Sequence, residues 1–223
     1  MSIYIAQPDF IKRYVRRNSR VRDGFLDLSR VIEKPEPRDM VSYLIAATWD
    51  VENSQIPKPH KIAGLEGNGM VIAGLVADRR DYPLVSVRER FQLAGDEGDI
   101  ITVVYTNSKN KERTVELRKS SVWEGFRAGA DNEKPKIVIV DDVLRTGSKM
   151  LAAAKAIRQA GGTAVGVYVI AAVDNAGGLE RLEKAGIPTN YILRIDMEKL
   201  KRGDYLKDDI DLSKPEPEGE AHS

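Results

Sequence analysis

The stretch from Ile137 to Met150 constrains the fold of this chain more than any other segment. It begins with four apolar residues that favour strands, passes through Asp141 and Asp142, and turns at Thr146-Gly147-Ser148 into a segment of helical composition. A buried strand, a tight turn and a helix form the repeating unit of parallel sheets. The stretch therefore predicts an α/β domain with this turn at the carboxyl end of a strand.

The turn also has the chemistry of an anion site. A helix that begins at Thr146-Gly147-Ser148 offers unpaired backbone N–H groups and the positive end of its dipole, and Gly147 leaves space for a phosphate. The two preceding acids would repel a bare phosphate, so they indicate a sugar diol or a magnesium ion between them and the phosphate. These features together predict a phosphorylated ribose as the ligand.

This stretch resembles the 5-phosphoribosyl 1-diphosphate (PRPP) motif of type I phosphoribosyltransferases. That motif has an apolar strand, two acids, two mostly apolar residues, a variable residue and Thr-Gly-x-Thr or a close variant. The stretch has neither the spacing of a nucleotide P-loop nor the Gly-x-Gly-x-x-Gly of a dinucleotide site. Lys149 stands where the family usually has Ser or Thr. A lysine there either reaches a phosphate as a point charge or points to solvent.

Three further segments occur in the family's order, so the resemblance covers roughly Gly24 to Ile195. The first, Phe25-Leu26-Asp27-Leu28, precedes a proline-marked helix and resembles the N-terminal hood of adenine phosphoribosyltransferases. The resemblance implies that Gly24, Phe25 and Leu26 bind the base, with the ring or adjacent backbone stacking on it. A core position for Phe25 is the alternative interpretation.

The second segment is a loop between a short strand, Lys61 to Leu65, and an apolar helix predicted from Met70 to Ala77. The loop, Glu66-Gly67-Asn68-Gly69, resembles the diphosphate loop of the family, Ile-x-Gly-Leu-Glu (or Asp)-x-Arg-Gly. Asn68 replaces the arginine, so one cation that would hold diphosphate is missing. A plain strand-to-helix turn is the alternative interpretation.

The third segment begins with the strand Leu84 to Arg88. Arg88 stands where the family carries the Arg of an Arg-Lys pair, and Glu89 and Arg90 come next. Gln92-Leu93-Ala94-Gly95 looks like a relaxed version of Lys-Leu-Pro-Gly. The resemblance implies a mobile catalytic loop that is poorer in lysine than its relatives.

A hairpin follows, with arms predicted from Ile100 to Thr106 and from Glu112 to Leu117. Adenine-specific relatives carry Glu-Tyr-Gly in this arm, with the carboxylate near the base, whereas this chain has Val104-Tyr105-Thr106. The acid is absent at that position. Glu97 or Glu112 would have to substitute for it, although a surface role suits each of them better.

Composition excludes several classes of protein. The chain has 223 residues and no cysteine, which excludes disulfides, thiolate zinc sites and a cysteine nucleophile. Lysine and arginine number 35 against 34 acids, so we expect no nucleic-acid partner that binds by phosphate neutralisation. No signal pattern and no membrane-length apolar run is evident, which predicts a cytoplasmic protein without a membrane partner.

The expected fold is α/β and type I phosphoribosyltransferase-like: a mainly parallel sheet flanked by helices on both faces, with an N-terminal hood and a β-hairpin lid. Residues 1–211 are predicted to form a single phosphoribosyltransferase domain. Residues 1–50 hold the N-terminal helices and the hood, and residues 89–117 form the mobile lid. Residues 212–223, rich in Pro, Glu and Gly, are predicted to be a disordered tail.

The resemblance implies a purine phosphoribosyltransferase that makes a nucleoside 5′-monophosphate and diphosphate from PRPP and a purine base, with adenine favoured. It also implies Mg²⁺ as cofactor and a homodimer. Asp141, Asp142 and Arg88 are the expected catalytic residues, with both acids at the ribose hydroxyls or at the metal. The residues expected to bind PRPP are Glu66, Gly67, Asn68, Gly69, Arg88, Arg90, Asp141, Asp142, Val143, Leu144, Arg145, Thr146, Gly147, Ser148 and Lys149.

Two alternatives remain open from the sequence. One is a PRPP-sensing regulatory or binding protein without efficient turnover, because Asn68 removes a cation and the lid is poor in lysine. The other is a phosphoribosyltransferase for another base, such as a 6-oxopurine or orotate.

Overall fold

The computed structural model describes residues 14–15, 17–22, 25–50, 56–89, 93–96, 98–127 and 133–202. The strands are β1 (Arg20–Arg22), β2 (Phe25–Asp27), β3 (Lys61–Leu65), β4 (Leu84–Glu89), β5 (Ile100–Thr106), β6 (Glu112–Arg118), β7 (Lys136–Leu144), β8 (Thr163–Asp174) and β9 (Thr189–Asp196). The α-helices are α1 (Ser29–Glu33), α2 (Pro35–Ala47), α3 (Asn68–Arg80), α4 (Lys119–Trp123), α5 (Ser148–Gln159), α6 (Gly178–Lys184) and α7 (Met197–Arg202), and a 3₁₀ turn spans Thr48–Asp50.

Within these residues, seven strands form one sheet in the order β5-β6-β4-β3-β7-β8-β9. β3 pairs in parallel with both β4 and β7, and β7-β8 and β8-β9 are also parallel. The carboxyl ends of β3, β4, β7, β8 and β9 therefore meet at one edge, which is where parallel sheets bind ligands.

The sheet has a hydrophobic core on each face, because its central strands are apolar on both sides. On one face, Val138 and Val140 of β7 pack with residues of α1, α2 and α3. On the other face, Ile137 and Ile139 pack with α5, α6 and Leu117 of β6. The predicted sheet with helices on both faces is confirmed.

One predicted boundary was wrong at the central motif. β7 continues to Leu144, so Asp141 and Asp142 lie inside the strand and not after it. β8 is long enough to keep pairing with this extension, with Asp141 opposite Val169. α5 begins at Ser148, within the predicted helix start Thr146-Gly147-Ser148, and Gly147 at its N-cap turns the chain.

The predicted hairpin is present as β5 and β6, and it extends the main sheet. β6 pairs antiparallel with β4 through Arg88 opposite Glu116 and Glu89 opposite Val115. Val115 and Leu117 are fully buried beneath α5, which holds this arm in place. Of the lid, residues 90–92 and 97 lie outside the described residues, so its mobility stays a prediction.

At the N-terminus, β1 and β2 form a separate two-stranded antiparallel sheet, with Val21 opposite Leu26. α2 begins with Pro35 at its first turn, a favoured place for proline, which agrees with the predicted proline-marked helix. The predicted opening helix lies mostly outside the described residues, as does the predicted tail. Of the helices that are described, none is long and apolar enough to span a membrane.

Candidate active site

The turn after β7 passes directly into α5 through a left-handed glycine. Gly147 adopts a φ of 72°, the left-handed region that glycine enters without strain, and it caps α5. Leu26 and residues 141–150 line a cavity of about 260 Å³ at this turn. The loop 145–148 and the N-terminus of α5 thus border an open pocket to which backbone N–H groups and the helix dipole are favourable for an anion.

The helix α6 packs against the loop 145–148, a contact that the sequence did not predict. A Cβ on Gly178 would lie 2.2 Å from the carbonyl oxygen of Arg145, so only glycine permits this contact. Arg181 Nη1 donates to the carbonyl oxygen of Thr146 at 3.2 Å and to Ser148 Oγ at 3.3 Å. The signal available in the sequence is the Gly177-Gly178 pair before a helix, which indicates close backbone approach.

Asp141 is buried where β7 meets the start of α3. Its residue is 6% exposed, and a Cβ on Gly69 would lie 2.4 Å from its Oδ1 atom. Burial raises the pKa of Asp141 to about 8, the nearby charge of Asp142 adds to that rise, and the Lys149 ammonium opposes it. The ligand-free site therefore favours an uncharged Asp141 at neutral pH.

Asp142 connects the two predicted loops. Its Oδ2 atom accepts a hydrogen bond from Asn68 Nδ2 at 2.9 Å, and its Oδ1 atom accepts from the backbone N–H of Val143 at 2.8 Å. With Gly69 against Asp141, the loop 66–69 and the end of β7 form one contiguous surface.

Lys149 lies among acids at the same place and does not point to solvent. Its Nζ atom donates to the carbonyl oxygen of Glu66 at 3.0 Å and lies 3.4 Å from Glu89 Oε1 and 3.8 Å from Asp141 Oδ2. The Tyr105 hydroxyl donates to Glu89 Oε1 at 3.3 Å, and burial raises the pKa of Tyr105 above its usual value. Neither Glu89 nor Tyr105 was expected from the sequence to be a site residue.

Other predicted site residues are less closely grouped. Arg88 directly precedes Glu89 in β4, and successive strand residues point to opposite faces, so its side chain leaves the sheet on the other face. Arg90 and Gly24 lie outside the described residues, and only the backbone of Phe25 is described, in β2. Leu26 does line the cavity beside residues 141–150.

Val104, which stands where adenine-specific relatives carry an acid near the base, lies at the surface of the hairpin. Val104 is 58% exposed, and Glu112 at the start of β6 is also exposed. Glu97 lies outside the described residues. The hairpin therefore directs Tyr105 towards Glu89 and leaves Val104 at the surface.

The carboxylates suit one way of binding magnesium. Among the described residues, no group of three or more His, Cys, Asp or Glu side chains could hold a metal alone. Magnesium often binds through only one or two carboxylates together with substrate phosphates. Asp141 and Asp142 offer such a pair beside the cavity, so the donor set fits a metal that arrives with a phosphorylated ligand.

Comparison with known proteins agrees with this geometry. Residues 45–196 match the family described as the phosphoribosyl transferase domain. The adenine phosphoribosyltransferase of Proteus mirabilis is 29% identical over 163 residues, which cover 73% of this chain and 79% of that protein. The adenine phosphoribosyltransferase of Cereibacter sphaeroides is 33% identical over 132 residues, 59% of this chain and 67% of that protein.

Solved structures with a similar fold are also adenine phosphoribosyltransferases. The crystal structure of adenine phosphoribosyltransferase from Trypanosoma brucei, in complex with AMP, pyrophosphate and ribose-5-phosphate, superposes with a TM-score of 0.70 at 19% identity. The match covers 94% of this chain and 92% of that one. The expected type I phosphoribosyltransferase-like fold and pentosyltransferase class of enzyme are confirmed, and the chain belongs to the phosphoribosyltransferase family.

Proposed function

We propose that this protein transfers the 5-phosphoribosyl group of PRPP to a ring nitrogen of a purine base, with adenine favoured, and releases diphosphate. The observation that carries the proposal is the junction of two loops at the carboxyl edge of the sheet. Asn68 bonds to Asp142, and Gly69 lies against Asp141, so both acids lie beside the loop 66–69. A ligand with a phosphate at each end of a ribose suits such a surface.

The 5-phosphate would bind at the loop 145–148, where backbone N–H groups and the α5 dipole favour an anion. The diphosphate would extend towards the loop 66–69. Asp141 and Asp142 line the cavity at the loop 145–148, and Asp142 also accepts a hydrogen bond from Asn68 of the loop 66–69, so the ribose hydroxyls would lie beside these acids. Hydroxyl groups can donate to a carboxylate, so this order suits a phosphorylated ribose.

In the reaction, a ring nitrogen of the base forms a bond to C1 of the ribose while the bond from C1 to the diphosphate oxygen breaks. The leaving diphosphate takes the electron pair, and the base nitrogen loses its proton. Positive charge develops on the ribose ring in the transition state, and the carboxylates at the end of β7 are placed to stabilise it. The charged form of buried Asp141 would interact more strongly with this positive charge than a solvated acid would, because water screens it less.

Magnesium would be held by Asp141 and Asp142, together with the diphosphate and the ribose hydroxyls. When bound, it supplies positive charge that neutralises the leaving group. A cation at this site would also favour the charged form of Asp141, whose pKa burial raises to about 8.

Adenine is favoured because curated relatives named adenine phosphoribosyltransferase match most of the chain. Leu26 supports a base site near the N-terminal hood, since it lines the same cavity as residues 141–150. The absence of an acid at Val104 leaves a 6-oxopurine or orotate as the competing acceptors.

The test is turnover of PRPP with adenine, hypoxanthine, guanine, xanthine, orotate and uracil, with products separated by chromatography. We expect AMP as the main product and loss of most turnover in the Asp141→Asn/Asp142→Asn double variant, which should stay folded. Asp81→Asn is the matched control, because Asp81 is exposed and precedes β4 at the opposite edge of the sheet. Near-normal turnover in the double variant would refute the assignment of the acids.

A PRPP-binding regulator is the second candidate. The observation that favours it is the absence of a charged side chain at Asn68, together with the acid Glu89 beside the only lysine of the motif. Binding of magnesium-PRPP that raises the melting temperature, with no product from any of the six bases, would support this candidate over an enzyme.

A further inference from the structure

We infer that Lys149 is the cation that receives the diphosphate group of PRPP, a role that the loop 66–69 does not fill in this chain. The inference rests on the proposed function and deepens it. The motif suggests that Lys149 binds the 5-phosphate of PRPP. We assign it to the diphosphate, at the opposite end of the ligand.

The first support is the position of the ammonium. The backbone of Lys149 lies in the first turn of α5. Its Nζ atom nevertheless reaches the loop 66–69 and donates to the Glu66 carbonyl oxygen at 3.0 Å. The side chain is 25% exposed, so the ammonium is partly shielded but still open to a ligand. It therefore lies at the loop that resembles a diphosphate site.

The second support is the charge of that loop. Asn68 brings no charge, and its amide is already bonded to Asp142 at 2.9 Å. Arg88 leaves β4 on the opposite face from Glu89. A diphosphate that approached the loop 66–69 would meet the Lys149 ammonium between Glu66 and Glu89.

The third support is a pair of exchanged charges. Glu89 follows Arg88 and so stands where the resembling Arg-Lys pair has its lysine, while Lys149 stands where the motif has Ser or Thr. The structure brings these two altered positions together, with Lys149 Nζ 3.4 Å from Glu89 Oε1. The positive charge has moved from the end of β4 to the start of α5 and remains beside the loop 66–69.

Glu89 then acts as the partner of Lys149 before the ligand binds. Its Oε1 atom also accepts from the Tyr105 hydroxyl at 3.3 Å, which fixes the carboxylate. When diphosphate arrives, one of its oxygens replaces Glu89 as the acceptor for the ammonium, and a charge-assisted hydrogen bond to the leaving group results. The same cation would stabilise the negative charge that diphosphate gains as the ribose bond breaks.

The experiment is calorimetric titration of the full chain with magnesium-PRPP, magnesium diphosphate and ribose 5-phosphate. In Lys149→Thr, which restores the residue type of the motif, we expect Kd for diphosphate and for PRPP to rise about tenfold or more. Kd for ribose 5-phosphate should stay within about twofold, which also shows that the site is folded. Lys155→Thr is the matched control, because it removes the same charge from an exposed position of the same helix.

Two further variants separate a ligand-binding role from a structural one. Glu89→Gln keeps an acceptor for Tyr105 but removes the competing charge, so it should tighten diphosphate binding about threefold. Asn68→Arg in the Lys149→Thr background should recover part of the lost affinity, since it returns a cation to the loop 66–69. A lysine that only braced the fold would predict weaker binding in Glu89→Gln and no recovery by Asn68→Arg.

The outcomes are distinct from those that test the proposed function. If the wild-type protein binds diphosphate and Lys149→Thr binds it equally well, the inference about Lys149 is overturned and the function stands. A parallel loss of ribose 5-phosphate affinity would return Lys149 to the 5-phosphate and also overturn the inference. A wild-type protein that binds neither PRPP nor diphosphate would overturn the proposed function and this inference together.

Discussion

Asn68 Nδ2 donates a hydrogen bond of 2.9 Å to Asp142 Oδ2, although 74 positions separate the two residues in the chain. The bond joins the first residue of α3 to the end of β7. The next residue of α3, Gly69, lies against Asp141, so the helix start and the strand end are in contact at two consecutive residues of each. A ligand that touches one of these segments depends on the position of the other.

Asn68→Asp should uncouple the two segments, because a second carboxylate would face Asp142 and repel it. We expect a loss of about 1 kcal/mol in the free energy of unfolding and weaker binding of magnesium-free PRPP. Chemical denaturation and calorimetry measure the two effects. The control is Asn107→Asp, because Asn107 Oδ1 accepts only from the backbone N–H groups of Lys109 and Lys111, which an aspartate also satisfies. Equal stability of Asn68→Asp and the wild type would contradict the coupling.

Gly69→Ala tests the close approach of α3 to the acid. The added Cβ would lie 2.4 Å from Asp141 Oδ1 and 2.9 Å from its Cα, so the helix or the strand must shift. We expect destabilisation of about 1–3 kcal/mol, as for other overpacked sites, and loss of PRPP binding.

Gly74→Ala is its control in the same helix, because a Cβ there meets nothing within 4 Å. Alanine favours a helix over glycine, so Gly74→Ala should raise the free energy of unfolding by about 0.5–1 kcal/mol. Opposite signs for the two glycines, read from denaturant curves, identify contact with Asp141 as the cause. Loss of stability in both would indicate a general intolerance of α3.

The sheet and the position of the turn at Gly147 were predictable because each rests on local chemistry. The run Ile137 to Val140 is apolar on both sides, and it becomes the fully buried centre of β7. Gly147 was expected in a tight turn at the start of a helix, and it lies there with a positive φ at the N-cap of α5. Such signals act within a few residues, so one sequence suffices to find them.

The contacts between segments were not predictable in the same way. Lys149 is visible in the sequence as a departure from the family motif, but its side chain can reach several places from the start of α5. Its actual partners are Glu66 in the turn after β3 and Glu89 at the end of β4, and only the sheet order β4-β3-β7 brings them near. Arg88 was chosen from its place in a motif, whereas alternation along β4 makes Glu89 the residue that faces Lys149.

Asp141→Asn should change how the stability of the ligand-free protein depends on pH. Burial raises the pKa of Asp141 to about 8, so between its ordinary value near 3.8 and about 8 the unfolded chain has lost a proton that the folded protein keeps. Stability of the wild type should therefore fall as pH rises through this window, by at most about 1.4 kcal/mol per pH unit from this group.

Asparagine cannot titrate, so Asp141→Asn should remove that slope. We expect the variant to match the wild type near pH 4 and to exceed it by at least about 1 kcal/mol at pH 7, although it should be less active. Denaturant unfolding with a chelator between pH 4 and pH 9 measures this. Exposed Asp81→Asn is the control and should leave the profile unchanged. Parallel profiles for Asp141→Asn and the wild type would contradict the prediction.

Arg181→Gln tests whether α6 holds the loop 145–148 in its binding conformation. Arg181 Nη1 donates to the Thr146 carbonyl oxygen and to Ser148 Oγ, and a shorter uncharged side chain would lose both bonds. Because Arg181 is exposed, the free energy of unfolding should change by no more than about 0.5 kcal/mol.

Binding should change selectively in Arg181→Gln. Kd for ribose 5-phosphate should rise about threefold to tenfold, because the loop 145–148 spends less time in the conformation that presents its N–H groups. Kd for magnesium diphosphate should stay unchanged, since Arg181 donates to Thr146 and Ser148 of the loop 145–148. Arg158→Gln, exposed in the last turn of α5, removes the same charge away from the loop and should alter neither affinity. Equal weakening for both ligands in Arg181→Gln would mean that α6 supports the whole site and not the 5-phosphate loop in particular.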